Sequence, residues 1–200
     1  MTTTGKRRLY GFAIAAAIFV VDQVVKWWVA GPLGLRQEGD SIAVLPIFAF
    51  TRTHNPGVSL GMFTAQSIEM RLALIAVTGL IALAVGIWMM REKAFGDIAA
   101  LGLVLGGALG NIVDRSRLGY VLDYADLHFS GIPPYLCPSY QAGWCRPFLV
   151  FNVADAAITI GVLIVLARSL FMREKPAETD EAGTASPPET QPARDAAETL

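Results

Sequence analysis

Hydrophobic positions in this chain fall in long unbroken runs, not at the period of two or of 3.6 that marks an element with one buried face. Leu9 to Ala30 is apolar apart from Asp22, Gln23 and Lys26, and Leu72 to Met90 carries no charge. Ile98 to Val113 is also uncharged, and Leu149 to Met172 is broken only by Asp155 and Arg168. A helix needs about 20 apolar residues to cross the hydrocarbon core of a bilayer. The runs therefore predict an α-helical membrane protein with four transmembrane helices, over 9–30, 72–90, 97–117 and 149–172. A cleaved signal peptide is the alternative for the first run, but Asp22, Gln23 and Lys26 and the length of the stretch argue against it.

Between the first two helices, in segment 31–66, Ile42 to Leu45 and Ile47 to Thr53 are β-prone and bounded by Gly, Pro and Asn. They predict a small periplasmic β-sheet. A periplasmic loop or short helix is expected over 119–147, between helices three and four. Past Lys175 the chain is rich in Pro, Glu, Thr, Ala and Asp and nearly free of large apolar residues. The expected organisation is a membrane domain over 1–172 and a disordered cytoplasmic tail over 173–200. Basic residues set the orientation: Lys6, Arg7 and Arg8 precede helix one, Arg91 and Lys93 follow helix two, and Arg173 and Lys175 follow helix four. Both termini are expected to be cytoplasmic.

Composition agrees with this reading. The 200 residues are 54% hydrophobic and 16% charged, with a mean hydropathy of +0.47. Lys and Arg number 16 against 17 acids, a net charge of -1, which leaves no basic surface of the kind nucleic acid requires.

Polar residues inside apolar spans are costly, so they are the informative ones. Asp22 and Lys26 stand four apart on one helical face, acid first, as an internal ion pair would. Gly102, Gly106 and Gly110 form a small-residue stripe that lets another helix approach. Asn111, Asp114 and Arg115 follow within one turn, and Asp114 could pair simply with Arg115 or Arg117. Asp155 lies just inside the fourth span, and Asp123 sits among Tyr120, Val121, Leu122 and Tyr124 just past the third. Helix three leaves and helix four enters on one membrane face, so these two acids can meet there. Two close carboxyls share a proton and can offer a base and an acid together. Spacing alone leaves open that Asp155 is a cap and that Asp123 or Asp126 is a solvated loop acid. It also leaves open a proton-coupled transporter, or an assembly protein without catalysis. His54 and His128 lack the paired spacing of a zinc site, and no metal or cofactor is expected.

Five blocks in order carry a resemblance: AspGlnValValLys at 22–26, AsnProGlyValSerLeuGlyMetPhe at 55–63, GlyGlyAlaLeuGlyAsnIleValAspArg at 106–115, ValLeuAspTyr at 121–124 and PheAsnValAlaAsp at 151–155. Over residues 9–172 the chain resembles the lipoprotein signal peptidases, or signal peptidase II, aspartic peptidases of the bacterial inner membrane. The resemblance implies that Asp123 and Asp155 are the catalytic pair. It also implies that Asn55, Asn111, Arg115 and Asn152 line the site for substrate or inhibitor backbone. Asp22 and Lys26 then match a structurally important pair, with Asp114 supporting. The implied substrate is a diacylglyceryl-modified prolipoprotein cut on the amino side of its lipidated cysteine at the periplasmic face. Membrane lipids and globomycin-class cyclic peptides are the implied further partners, and a monomer is expected. One departure is the segment from Leu127 to Arg146, longer than the family resemblance leads one to expect. In an oxidising periplasm its Cys137 and Cys145 are expected to close a nine-residue loop by a disulfide.

Overall fold

Length and apolarity alone make four helices, and the computed structural model contains them: α1 (Thr3–Ala30), α2 (Ile68–Arg91), α3 (Phe95–Arg117) and α4 (Val153–Phe171). The structure describes residues 3–57, 68–137, 140–141, 143–146 and 148–171, so the expected tail over 173–200 lies outside the described residues. Three helices begin earlier than their apolar runs, because polar first turns continue the helix beyond the hydrocarbon. The fourth begins later, at Val153 and not at Leu149. There the backbone of Phe151 is engaged in an isolated bridge to Ala125, and Asn152 takes up the capping position.

α3 is the central helix, packed against α1, α2 and α4. Lipid tails are as apolar as leucine, so helices in a bilayer associate through close backbone approach and not through hydrophobic burial. A Cβ placed on Gly102 would lie 2.6 Å from the carbonyl oxygen of Gly11, and one on Gly106 2.5 Å from that of Ala15. Gly107 faces the other way, against the Ala154 carbonyl of α4, while Gly161 of α4 meets the Ala100 carbonyl, 2.6 Å from its would-be Cβ. Adjacent glycines at 106 and 107 thus seat two different helices on one. Leu80, Ile81 and Leu83 of α2 and Leu163, Leu166 and Leu170 of α4 remain exposed, as lipid-facing positions should.

This packing gives a direct expectation. Gly107→Val should push α4 off α3 and cost about 1–3 kcal/mol, the usual penalty of overpacking. Gly79→Ala, where nothing lies within 4 Å, should be neutral or slightly stabilising. Thermal unfolding in detergent compares the two, and equal melting temperatures would dismiss the close-approach account.

The sheet lies at the end of the bundle where α1 and α3 finish and α2 and α4 start. β1 (Ser41–Leu45) and β2 (Phe48–Asn55) occupy the β-prone runs, and β3 (Val121–Leu127) joins on the other side of β2, all antiparallel. β3 was not visible in the hydrophobic pattern, because Val121 to Asp126 are buried without alternation. Val29, Leu35, Tyr124 and Ala125, with Phe48, Phe50 and Phe151 beside them, seal this sheet onto the bundle. The expected loop or helix after β3 is a second small sheet of two-residue strands, β4 (Phe129–Ser130), β5 (Tyr140–Gln141) and β6 (Trp144–Cys145), in the order β4-β6-β5, with one 3-10 turn over Pro134–Leu136. Cys137 and Cys145 are joined by a disulfide, their Cα atoms 5.6 Å apart.

Candidate active site

The first turn of α4 assembles the site. A helix N-terminus leaves backbone N–H groups without intrahelical acceptors, and each one here finds an acceptor outside the helix. Val153 N donates to the Tyr124 hydroxyl at 3.3 Å, Ala154 N to Asp22 Oδ1 at 3.1 Å, and Asp155 N to Asn152 Oδ1 at 2.9 Å. Asp155 Oδ2 in turn accepts from Asn152 N at 3.3 Å. Asn152 and Asp155 therefore form a reciprocal capping box, which sets the side-chain direction of Asp155 by local geometry.

Asp123 reaches the same place from the sheet. Tyr124 N and Ala125 N both donate to the Phe151 carbonyl, at 3.1 and 2.7 Å, and Phe151 N donates back to Ala125 O at 3.1 Å. These bonds clamp β3 to the residues that begin α4. Asn152 Nδ2 then donates to Asp123 Oδ1 at 2.6 Å and to Asn111 Oδ1 at 3.3 Å, while Asn111 Nδ2 donates to Asp155 Oδ1 at 2.8 Å. Two asparagines thus link the two acids.

The third hydrogen bond from an asparagine side chain to an acid depends on a bulge. Phe50 pairs with Ala125 but Thr53 pairs with Asp123, so β2 carries one extra residue. An extra residue reverses which side chains share a face. Asn55 is thereby placed on the Asp123 side, where an unbroken register would put His54, and Asn55 Nδ2 donates to Asp123 Oδ2 at 3.0 Å.

Beneath the acids lies a buried charge cluster. Lys26 Nζ is 2.8 Å from both Asp22 Oδ2 and Asp114 Oδ2 and donates to Asn111 Oδ1 at 3.3 Å. The partner of Asp114 is therefore Lys26 on another helix, and not the neighbouring Arg115 or Arg117. Gln23 Nε2 adds a hydrogen bond to Asp114 Oδ1 at 3.0 Å. Lys26, Asn111 and Asp155 form one continuous chain, so the ammonium polarises the amide that holds the second acid.

Asp123 is 1% exposed, which excludes the solvated-loop reading for it. Burial, and after it the charge of Asp155, push its carboxyl from 3.8 up to about 7, against the opposing hydrogen bonds from Asn55 and Asn152 and the charge of Lys26. Arg115 stands in the field of both acids. Its Nε is buried with no hydrogen-bond partner among the described residues, which leaves a donor for an acceptor the protein does not supply. Asp126 is also buried, at 2% exposure, so it is no solvated loop acid either. It accepts from Thr51 and Arg146.

Two grooves border the network, one at Asp155 and one at Asn111 and Arg115. One of about 300 Å³ runs from Asp155 past Ala156, Thr159 and Ile160 toward Leu127, Phe148 and Leu149. The other, about 220 Å³, lies between α2, α3 and α4 against Asn111 and Arg115. All nine site residues anticipated from the sequence converge here, and the two cysteines lie outside this network, Cys145 on β6 and Cys137 just after the 3-10 turn. Sequence reasoning did not single out the hydroxyl of Tyr124, the amide of Gln23, or Asp126. Gln23 had a usable signal, being an uncharged polar residue inside an apolar run.

Similarity to known proteins is extensive. The sequence profile described as Signal peptidase (SPase) II matches residues 14–171. The chain is 49% identical over 171 residues to the lipoprotein signal peptidase of Sphingopyxis alaskensis, covering 86% of this chain and 91% of that protein. It is 49% identical over 177 residues to the same enzyme of Rhizorhabdus wittichii, covering 88% and 95%. A solved structure described as a bacterial membrane enzyme determined in meso at 1.9 Å superposes with a TM-score of 0.64 at 26% identity, over 82% of this chain and 94% of that one. With the acids, the asparagines and the helices that carry them in place, the chain belongs to the signal peptidase II family, the membrane aspartic peptidases that remove signal peptides from prolipoproteins.

Proposed function

We propose that Asp123 and Asp155 are the catalytic pair of this peptidase, acting on a diacylglyceryl-modified prolipoprotein. The observation that carries the reading is the asparagine linkage: Asn152 and Asn111 hold both carboxyls in one hydrogen-bonded set. Asp123 keeps the shared proton, and Asp155 is the base. Its carboxylate takes a proton from water as the water oxygen bonds to the scissile carbonyl carbon, while Asp123 protonates the carbonyl oxygen. The C–N bond then breaks as the proton held by Asp155 passes to the leaving amine, and Asp123 recovers its proton as the carbonyl re-forms. Asn55 orients Asp123, and the unsatisfied Arg115 N–H is available to a backbone carbonyl of the substrate.

The groove beside Asp155 is lined almost wholly by apolar side chains, which suits an acyl chain of the substrate. Globomycin-class cyclic peptides, the inhibitors that the resemblance implies, are assigned to the same space. The sheet end is assigned to the outer face, supported by Lys6, Arg7 and Arg8 at the other end of α1 and by a disulfide that persists in oxidising compartments.

The pH dependence tests the proton assignment. Because Asp123 holds its proton to about pH 7, kcat/KM for precursor processing is expected to fall as pH rises through that value. A rate that stays flat from pH 6 to 9, a window set by ordinary carboxyl and amine limits of roughly 4 and 10, would remove Asp123 from the acid's role.

A further inference from the structure

The excursion of the chain between the two acids has a built closure that the reaction scheme does not use. The chain leaves the main sheet after Leu127, and Arg146, at the far end of the second sheet, is joined back to it: Arg146 Nε donates to Asp126 Oδ1 at 3.1 Å. The other oxygen, Oδ2, accepts from Thr51 Oγ1 at 3.0 Å, and Thr51 is 2.8 Å from Ser41 Oγ on β1. One buried carboxylate therefore ties the return segment to all three strands. Within the excursion, strands of two residues cannot supply a core. Among the described residues they are tied by their ladder pairing, by the Cys137–Cys145 disulfide and by an edge-on contact of His128 with Trp144 at 5.3 Å.

Both ends of this strap border the apolar groove. Leu127 follows Asp126 directly, and Phe148 and Leu149 follow Arg146 within three positions. Phe148 and Leu149 are 61% and 81% exposed, so packing does little to hold them in place. They stand between Arg146, tied to Asp126 on one side, and Phe151, bridged to Ala125 on the other. An acid as deeply buried as Asp126 is costly to keep for stability alone, since an apolar replacement pair commonly serves as well.

We propose that Asp126, Arg146 and the Cys137–Cys145 bond are positioning elements for acyl-chain recognition, fixing the wall of the groove beside Asp155. The proposal rests on the assignment of that groove to an acyl chain. It sets affinity for the lipid part of the precursor and leaves the hydrolytic step alone.

The test uses the full-length protein in detergent and two precursors of one peptide sequence, one carrying dipalmitoylglyceryl and the other dioctanoylglyceryl. Wild type is expected to show the lower KM for the long-chain precursor. D126N, R146Q and the double C137S/C145S should each raise that KM about tenfold, with the short-chain KM and both kcat values within about twofold. D126N combined with R146Q should be no worse than either alone, as expected for two halves of one contact. Equal rises for both precursors, a fall in kcat alone, or unchanged kinetics would each overturn the proposal. Should D126N fail to fold, R146Q and C137S/C145S decide, because Arg146 is only partly buried and neither cysteine joins the hydrogen-bonded network of the acids. D123N is assayed alongside. If it cuts normally the catalytic pair is wrong, while the chain-length comparison still judges the strap.

Discussion

Replacing Asp123 or Asp155 by asparagine is expected to leave a folded, membrane-inserted protein that no longer converts diacylglyceryl-modified precursor to its processed form. Loss of one member of an acid–base pair removes a proton transfer that each turnover needs, so the fall should be on the order of 10³- to 10⁴-fold. Folding should survive because asparagine is nearly isosteric, and the capping box at Asn152 and Asp155 can accept an amide in place of the carboxyl. For Asp123 the sign of the stability change is also defined. Its folded-state value of about 7 lies above the ordinary 3.8, so the folded protein binds more protons than the unfolded chain between those values. Stability contributed by this group is present at low pH and is lost as pH rises toward 7. D123N should remove that slope and melt higher than wild type at pH 8 and above. A gel-shift processing assay and melting curves check both halves. Normal processing by either pure variant would reject the pair.

The second large effect is on stability. Among the described residues Lys26 is the one cation bridging Asp22 and Asp114, and all three are nearly inaccessible to solvent. Lys26→Met should leave two carboxylates buried without their counter-charge, a change that costs about 3–5 kcal/mol in comparable buried pairs. Asp22 also accepts the first-turn N–H of Ala154, so the damage would spread to the seat of α4 and to Asp155. The triple variant D22N/K26M/D114N should regain much of the loss, because it removes the uncompensated charge together with its partner. Melting temperatures in detergent discriminate, and a Lys26→Met protein as stable as wild type would show that the cluster is solvated or dispensable.

Much of the site was legible in the sequence because a membrane span makes every polar residue conspicuous. Asp22, Lys26, Asn111, Asp114 and Asp155 stand out against apolar neighbours, and each is found within the connected network. Their pairing was not legible. Asp114 has Arg115 beside it and Arg117 nearby in sequence, yet it bonds to Lys26 on α1, because glycines at 102, 106 and 110 bring the two helices together. β3 was missed for a related reason: a strand covered on both sides shows no alternation, and its acids read as loop residues. Asp126 belongs with this miss. Its burial depends on Thr51 and Arg146, which arrive from distant segments.

By itself the sequence determined the number of spans and the costly polar residues set within and beside them, since apolar run length and intramembrane polarity are local properties of the chain. Tertiary structure alone decided which groups meet: the bulge that turns Asn55 toward Asp123, the bridge of Phe151 to Ala125 that draws β3 against α4, and the sharing of one lysine between two helices. Those contacts depend on backbone register and on how closely helices pack, quantities that arise only when segments far apart in sequence are brought together.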